Sequence, residues 1–232
     1  MNRDTLKCAF IASLPVMAGY NVLGIGFGIL LSAQGYAFWW ATLMSIFIFA
    51  GSMQYVGVDL LTGGVSVISA ALMTLMVNAR HLFYGVSMLE KYKDMGWRKP
   101  YLIFGLTDET YSILCSDPEL PDTVDRRNFD ILLTFMNQCY WVGGSTIGAL
   151  LGNNLAFNSK GVEFSMTALF VVIFVDQWEK AENHLPALWG LVVTVICLLI
   201  FGSDSFLIPS MVLITVGLLA MQKFLKMGGE KA

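Results

Sequence analysis

Residues 101–116 read YLIFGLTDETYSILCS, an apolar run broken at its centre by Thr107-Asp108-Glu109-Thr110. Two adjacent carboxylates inside a would-be membrane span are costly, and such groups persist where they line a wet cavity or an ion path. Helical spacing puts Gly105, Asp108 and Ser112 on one side and spreads Thr107, Glu109 and Thr110 over the others. No face is free of polar groups, so the stretch cannot be a helix facing lipid. It is expected to be unwound, or enclosed by protein and water. Neighbouring carboxylates in low dielectric resist double ionisation, which makes Asp108 and Glu109 candidate proton-coupling groups.

The rest of the chain supports a membrane setting. Its 232 residues are 56% hydrophobic and only 13% charged, with mean hydropathy +0.65. A soluble domain carries about a quarter charged residues. A soluble core could not hide this much apolar surface, whereas a bilayer can. The net charge of −3 gives no reason to expect nucleic-acid binding. Cys8, Cys115, Cys139 and Cys197 form no CxxC pair and read as small buried hydrophobes. His81 and His184 are the only histidines, so no His-rich metal site is expected. GxxxxGK[ST], HExxH and GxSxG are all absent, and we expect neither ATP hydrolysis, nor another enzymatic activity, nor a cofactor. The first apolar segment lacks a clear small-residue cleavage site and is expected to be retained.

Apolar segments fall at about 8–33, 38–59, 64–88, 100–116, 131–152, 164–181, 185–201 and 204–222. The expected fold is all-α: a single polytopic membrane domain over residues 1–232, with six to eight transmembrane segments. Two segments look irregular. The first contains Pro15, Gly19, Gly24, Gly26 and Gly28 around Tyr20-Asn21. It reads as two half-helices meeting near Gly19 to Gly24, or as one long kinked helix. The fourth carries the acids. Lys91, Lys93, Arg98 and Lys99 make 89–99 the most basic loop, hence cytoplasmic, and both termini are also basic. Segments one to three must then cross an even number of times, and so must four to eight. Making segments one and four broken or re-entrant satisfies this and leaves six full crossings. Interruptions at corresponding positions of two halves are also what an internal repeat produces, although no repeat is visible residue by residue.

Several polar groups are candidates. Thr74, Asn78, His81 and Gly85 share one helical face, with Arg80 about 200° away from Asn78. Arg80 either snorkels towards the basic loop, pairs with Asp108 or Glu109, or holds a substrate carboxylate. His81 is a proton carrier or a satisfied interior hydrogen-bonder. Thr134, Asn137, Gln138, Trp141 and Ser145 form a polar stripe, flanked by Gly144, Gly148 and Gly152 at a spacing that lets helices approach closely. Asn137, Gln138 and, in segment two, Gln54 either join helices or meet substrate. Asp176-Gln177-Trp178-Glu179 reads as an interfacial belt.

Leu14-Pro15…Gly19-Tyr20, Gly26-Phe27-Gly28, Phe49-Ala50-Gly51…Gln54, Asn78-Ala79-Arg80-His81-Leu82-Phe83-Tyr84-Gly85 and Leu106-Thr107-Asp108-Glu109-Thr110, taken in order, resemble the AzlC family. Its members are large subunits of bacterial branched-chain amino acid exporters. The resemblance implies export of leucine, isoleucine, valine and sometimes methionine across the bacterial cytoplasmic (inner) membrane. It also implies proton coupling and a small AzlD-type membrane partner, and it leaves a higher oligomer open. On this reading the substrate carboxylate meets Arg80 or helix ends near Tyr20, Asn21 and Gly19 to Gly28. The ammonium meets Asp108, Glu109, Asn137 or Gln138, with Gln54 and Asn78 also lining the site, and His81, Asp108 and Glu109 carry protons. The alternatives are a passive channel and a non-catalytic permease subunit.

Overall fold

The computed structural model describes residues 3–152, 183–203 and 206–229, together with 171, 174–175, 178–179 and 181. The described residues are helical, without a strand. Most of segment 164–181, including Asp176 and Gln177, lies outside them.

Two long helices form the axis. α1 is Arg3–Ala33 and runs unbroken through Pro15. α8 is Arg126–Gly152. They lie side by side and parallel: Gly144 faces the Asn21 backbone, Gly148 that of Ile25, and Gly152 that of Ile29. This corrects the expectation of two half-helices in segment one. Gly24 and Gly28 are contact points against the α8 backbone rather than breaks, since a methyl on Gly28 would overlap the Ser145 carbonyl oxygen. Small residues at four-residue spacing allow that approach. Asn21 is satisfied without unwinding, because its Nδ2 donates to the Met17 carbonyl at 2.8 Å, one turn back.

Two helical hairpins flank this pair from opposite ends. α2 (Phe38–Phe47) runs antiparallel to α8. Thr42 Oγ1 is 2.8 Å from Thr146 Oγ1, and Gln138 Nε2 donates to the Ile46 carbonyl at 3.2 Å. α3 (Gly51–Thr62) turns back along α2. Its Gln54 Nε2 donates to Ser45 Oγ at 3.1 Å, and the Tyr55 hydroxyl donates to the Leu23 carbonyl at 2.6 Å. The tip of this hairpin is Ile48–Ala50, where Phe49 takes a left-handed φ of 44°. Segment two is therefore the broken one in the first half, not segment one.

The second hairpin is α6 (Lys99–Phe104) and α7 (Asp108–Cys115), with its tip at Gly105–Thr107. Both feet reach the start of α8: Arg98 donates to Asn128 at 2.9 Å, and Asp117 pairs with Arg126 at 2.6 Å. At 1.5 Å per residue, α2, α3, α6 and α7 span only about 15, 18, 9 and 12 Å, against a hydrocarbon core of roughly 30 Å. None can cross alone. The hairpin tips meet half-way along α1 and α8, where the Phe49 and Phe104 rings lie 6.3 Å apart.

α4 (Val67–Asn78) and α5 (Arg80–Ser87), separated by Ala79, return the chain to the first end of the bundle. There Met88, Tyr92 and Met95 pack with Ala9, Leu102, Leu114 and Phe129. The start of α1 and the basic loop thus share one end. The two lengthwise passes between them are made by α1 and by α4–α5, while segment two turns back. α9 (Leu185–Phe201) and α10 (Leu207–Gly229) pack together, with Gly217 against the Trp189 ring.

The distribution of polarity is inside out relative to a soluble protein. Ser13, Ser45, Gln54, Thr134, Asn137 and Ser145 are fully buried, while Phe10, Ile11, Ile68, Leu75, Leu199 and Ile200 are exposed. Cys115 and Cys139 also lie exposed, not buried as expected. Among the described residues two stretches, Arg3–Ala33 and Val67–Ser87, are long and apolar enough to cross a bilayer by themselves.

Candidate functional site

Three interruptions converge on one cavity. Phe49, Ala50, Gly51 and Ser52 come from the first tip, Thr107, Asp108 and Glu109 from the second, and Arg80 and His81 from the junction after Ala79. Tyr20 and Leu23 of α1 and Trp141 of α8 complete the wall. The space between these groups is about 480 Å³, its open mouth included. It is narrow in this conformation, so a side chain the size of leucine requires the walls to part.

Arg80, the first residue of α5, faces the cavity. Its Nη1 lies 2.7 Å from Asp108 Oδ2, and its Nη2 donates to Ser52 Oγ. Tyr84, one turn along α5, donates to Asp108 Oδ1 at 2.6 Å, so both oxygens of that carboxylate are held. Snorkelling of Arg80 towards the basic loop does not occur. Asp108 is the first residue of α7 and Thr107 its N-cap, with Thr107 Oγ1 accepting from the Thr110 amide at 3.3 Å. Acids in the first helical turn complement the helix dipole.

The start of α3 is different. Its N-cap is Ala50, which offers no side-chain cap, and there is no acid in its first turn. The first backbone bond of the helix is from Gln54 N–H to Ala50 O, leaving the amides of Gly51, Ser52 and Met53 without helical acceptors. Uncapped amides with a cation alongside suit an anion.

Glu109 is buried and its hydrogen-bond partner is neutral. Tyr20 Oη lies 2.5 Å from Glu109 Oε2 and 2.7 Å from Thr107 Oγ1. The chain continues through Thr110 Oγ1, 3.0 Å from Thr107 Oγ1, to Asn137, whose Nδ2 donates to Thr110 Oγ1 at 3.0 Å. The single Tyr20 hydrogen serves one partner at a time. With Glu109 ionised it points at the carboxylate; with Glu109 protonated the carboxyl donates to Tyr20, and Tyr20 turns to Thr107.

Of the residues expected from sequence, Tyr20, Arg80, His81, Asp108 and Glu109 line the cavity. His81 Nδ1 also sits 3.2 Å from the Asn78 carbonyl. The other five stand behind the wall. Asn21 bonds its own helix, and Asn78 does not follow Arg80 into the cavity, since two residues of helix set them about 200° apart. Gln54 accepts from Trp141 Nε1 at 2.8 Å and so fixes the indole that does line the cavity. Gln138 accepts from the Tyr101 hydroxyl at 2.8 Å and ties α6 to α2. Asn137 lies one bond behind Thr110. Ser52, Thr107, Tyr84 and Trp141 were not expected as site residues. The small polar cluster after the apolar run 46–50 and the i, i+4 spacing of Arg80 and Tyr84 are the signals that locate them.

Comparison with known proteins places this arrangement in a family. The family described as AzlC protein matches residues 15–155. The chain is 44% identical over 217 residues to the Branched-chain amino acid transport protein AzlC of Bacillus subtilis, covering 94% of this chain and 85% of that one. It is 38% identical over 221 residues to an uncharacterized membrane protein of Helicobacter pylori, covering 95% and 96%. Inner membrane protein YgaZ of Escherichia coli is 28% identical over 182 residues, covering 74% of this chain and 72% of that one. No solved structure matches the chain. With a matching profile over more than half its length and a polar interior inside an apolar shell, this all-helical membrane protein belongs to the AzlC family.

Proposed function

We propose that the chain is a secondary transporter that exports branched-chain amino acids, with methionine as a further substrate, across the cytoplasmic membrane, coupled to protons and working with a small AzlD-type membrane subunit. The observation that carries this reading is the Arg80–Asp108 pair, set beside the uncapped α3 start where two opposed hairpin tips meet. The name of the Bacillus subtilis relative supports the substrate class. The hairpins are re-entrant elements of two inverted halves, and their tips lie near the bilayer midplane, where broken helices hold substrate in secondary transporters. The loop at 89–99 faces the cytoplasm.

The α-carboxylate of the substrate lies on the Gly51–Met53 amides and Arg80. Its ammonium takes Asp108, and its aliphatic chain lies among Leu23, Phe49 and Trp141. The substrate thus replaces the charge pair that Arg80 and Asp108 make with each other. Movement of one hairpin tip away from α1 and α8 opens the narrow cavity to one side at a time.

Glu109 carries the proton. Neutral Glu109→Gln keeps hydrogen bonding to Tyr20 but cannot change charge. In proteoliposomes it is expected to retain leucine counterflow within about threefold of wild type while losing the pH dependence of net transport. A wild-type pH profile in this variant removes Glu109 from the coupling. The test of the whole reading is counterflow of labelled leucine, valine and methionine by the purified protein, with and without the small subunit. Saturable exchange is the expected result. Non-saturating flux that ignores a pH gradient indicates a passive channel instead.

A further inference from the structure

Below the cavity, on the side of loop 88–98, α8 buries a carboxylate for which the transport reading has no use. Asp130 is fully buried one turn into α8. Its Oδ1 lies 3.2 Å from Arg126 Nε, yet neither carboxylate oxygen accepts a hydrogen bond among the described residues. Arg126 is shared with Asp117, which also takes Lys91 Nζ at 3.1 Å; these cations hold the Asp117 carboxyl below the ordinary carboxylate range. From the basic loop, the buried Tyr92 hydroxyl also has no partner among the described residues. Burial first, and then the Asp130 charge, push that hydroxyl well above the ordinary tyrosine range. The ionisable groups facing Asp130 are therefore Arg126 on its own helix, Lys91 and Tyr92 from the loop, and Asp117 at the foot of α7.

Asp130 is also in line with the cavity. Asp130, Thr134 and Asn137 occupy positions i, i+4 and i+7 of α8, one face over two turns, or about 10 Å of rise. All three are fully buried. The α6–α7 tip closes over this face, with Gly105 against the Thr134 methyl. Asn137 Oδ1 has no hydrogen-bond partner among the described residues, while its Nδ2 opens the chain Thr110, Thr107, Tyr20, Glu109. Buried polar atoms are nearly always satisfied, by protein or by water.

We propose that Asp130 is the proton-exchange group between Glu109 and the solution on the side of loop 88–98. Water bound between Asp130 and Asn137 Oδ1 bridges the gap. In one direction the Asp130 carboxyl gives its proton to water held by Asn137 Oδ1, the water protonates the Thr110 hydroxyl as that hydroxyl gives its own proton to Thr107, Thr107 does the same to Tyr20, and Tyr20 gives its proton to the Glu109 carboxylate; the Asn137 amide orients the water and carries no proton. The charge left on Asp130 is met by Arg126, and bulk solvent reprotonates it. The reverse sequence releases the proton. This rests on Glu109 as the coupling group.

The test compares wild type, Asp130→Asn and Asp130→Glu in proteoliposomes. It measures leucine counterflow without a gradient, leucine transport driven by an imposed pH gradient, and proton flux by an internal pH dye. Asp130→Asn is expected to keep counterflow within about twofold and to lose gradient-driven transport and proton flux by about tenfold or more, with Asp130→Glu restoring both. Wild-type proton flux in Asp130→Asn overturns the proposal. So does equal loss of counterflow and coupling, which marks a structural residue. If Asp130→Asn does not fold, Arg126→Gln/Asp130→Asn removes both charges and takes its place. Wild-type protein that exchanges leucine without moving protons defeats the Glu109 reading as well, whereas intact coupling in Asp130→Asn defeats only this one.

Discussion

Gly148→Val is expected to leave little folded protein. A Cβ at this position would overlap the Ile25 carbonyl of α1, and the obstructing atoms are backbone, which cannot rotate away. Valine adds two further methyls at the same point. Overpacking of a tight interface costs about 3 kcal/mol or more when the backbone must shift, a large part of a total stability of about 5–15 kcal/mol. The effect propagates because α1 and α8 meet at five glycines: Gly24 and Gly28 on one helix, Gly144, Gly148 and Gly152 on the other. Separating the helices also separates Tyr20 from Thr107 and Glu109. The internal control is Gly143→Ala, five residues earlier on the same helix, where an added Cβ meets nothing within 4 Å. Alanine is favoured over glycine in a helix by about 0.5–1 kcal/mol, so this variant is expected to be as stable as wild type or slightly better. The yield of monodisperse protein after detergent extraction, and its melting midpoint, distinguish the two. A well-folded Gly148→Val would show that α1 and α8 do not need this approach.

The same glycines mark where sequence reasoning succeeded and where it misled. Spacing alone identified Gly144, Gly148 and Gly152 as a close-approach face. In α1 glycines 19 to 28 follow a proline and read as a break, although Gly24 and Gly28 are the matching half of that face. Glycine has two uses, flexibility and closeness, and a single segment does not say which applies; the partner helix does. The converse error fell on residues 46–50. The run Ile46-Phe47-Ile48-Phe49-Ala50 contains no glycine or proline, yet the chain turns there with Phe49 at φ 44°. Such a residue is strained by roughly 1–3 kcal/mol and persists because tertiary packing over-determines it. Here the packing is the ring of Phe104 in the opposite tip, far away in sequence. Segment four was legible because Asp108 and Glu109 made a continuous lipid-facing helix untenable on polarity alone. Its partner broken segment was not, because its amides, rather than its side chains, supply the polarity. Arg80 is intermediate: helical spacing points it away from the Asn78 face, and only the fold shows that Asp108 stands on the side it faces.

Arg80 and Asp108 allow structural and functional roles to be separated. Both side chains are mostly buried, at 20% and 14% exposure, and 2.7 Å apart. Removing one partner of such a pair leaves the other charge without compensation, a cost of about 3 kcal/mol or more. Arg80→Gln and Asp108→Asn are therefore each expected to lower the melting midpoint, and to reduce leucine counterflow by about a hundredfold or more, since each 1.4 kcal/mol is a factor of ten. The double variant Arg80→Gln/Asp108→Asn removes both charges and keeps the shape and most hydrogen bonds, including that from Tyr84. Replacing a buried pair by neutral groups is often close to neutral for stability. The melting midpoint is expected to return to near the wild-type value. Transport is not, because a zwitterion entering this cavity then finds no cation for its carboxylate beyond the amides of Gly51 to Met53, and no anion for its ammonium except Glu109. A purely structural bridge predicts the opposite: stability and counterflow recover together in the double variant. That outcome would move the substrate out of the cavity between the hairpin tips, while their recovery apart assigns the pair to binding. A charge-reversed pair, Arg80→Asp/Asp108→Arg, sharpens the point. It restores attraction across the cavity but places a cation in the first turn of α7, where it opposes the helix dipole, and a fixed anion beside the uncapped start of α3, where it competes with the substrate carboxylate. It is expected to stay inactive.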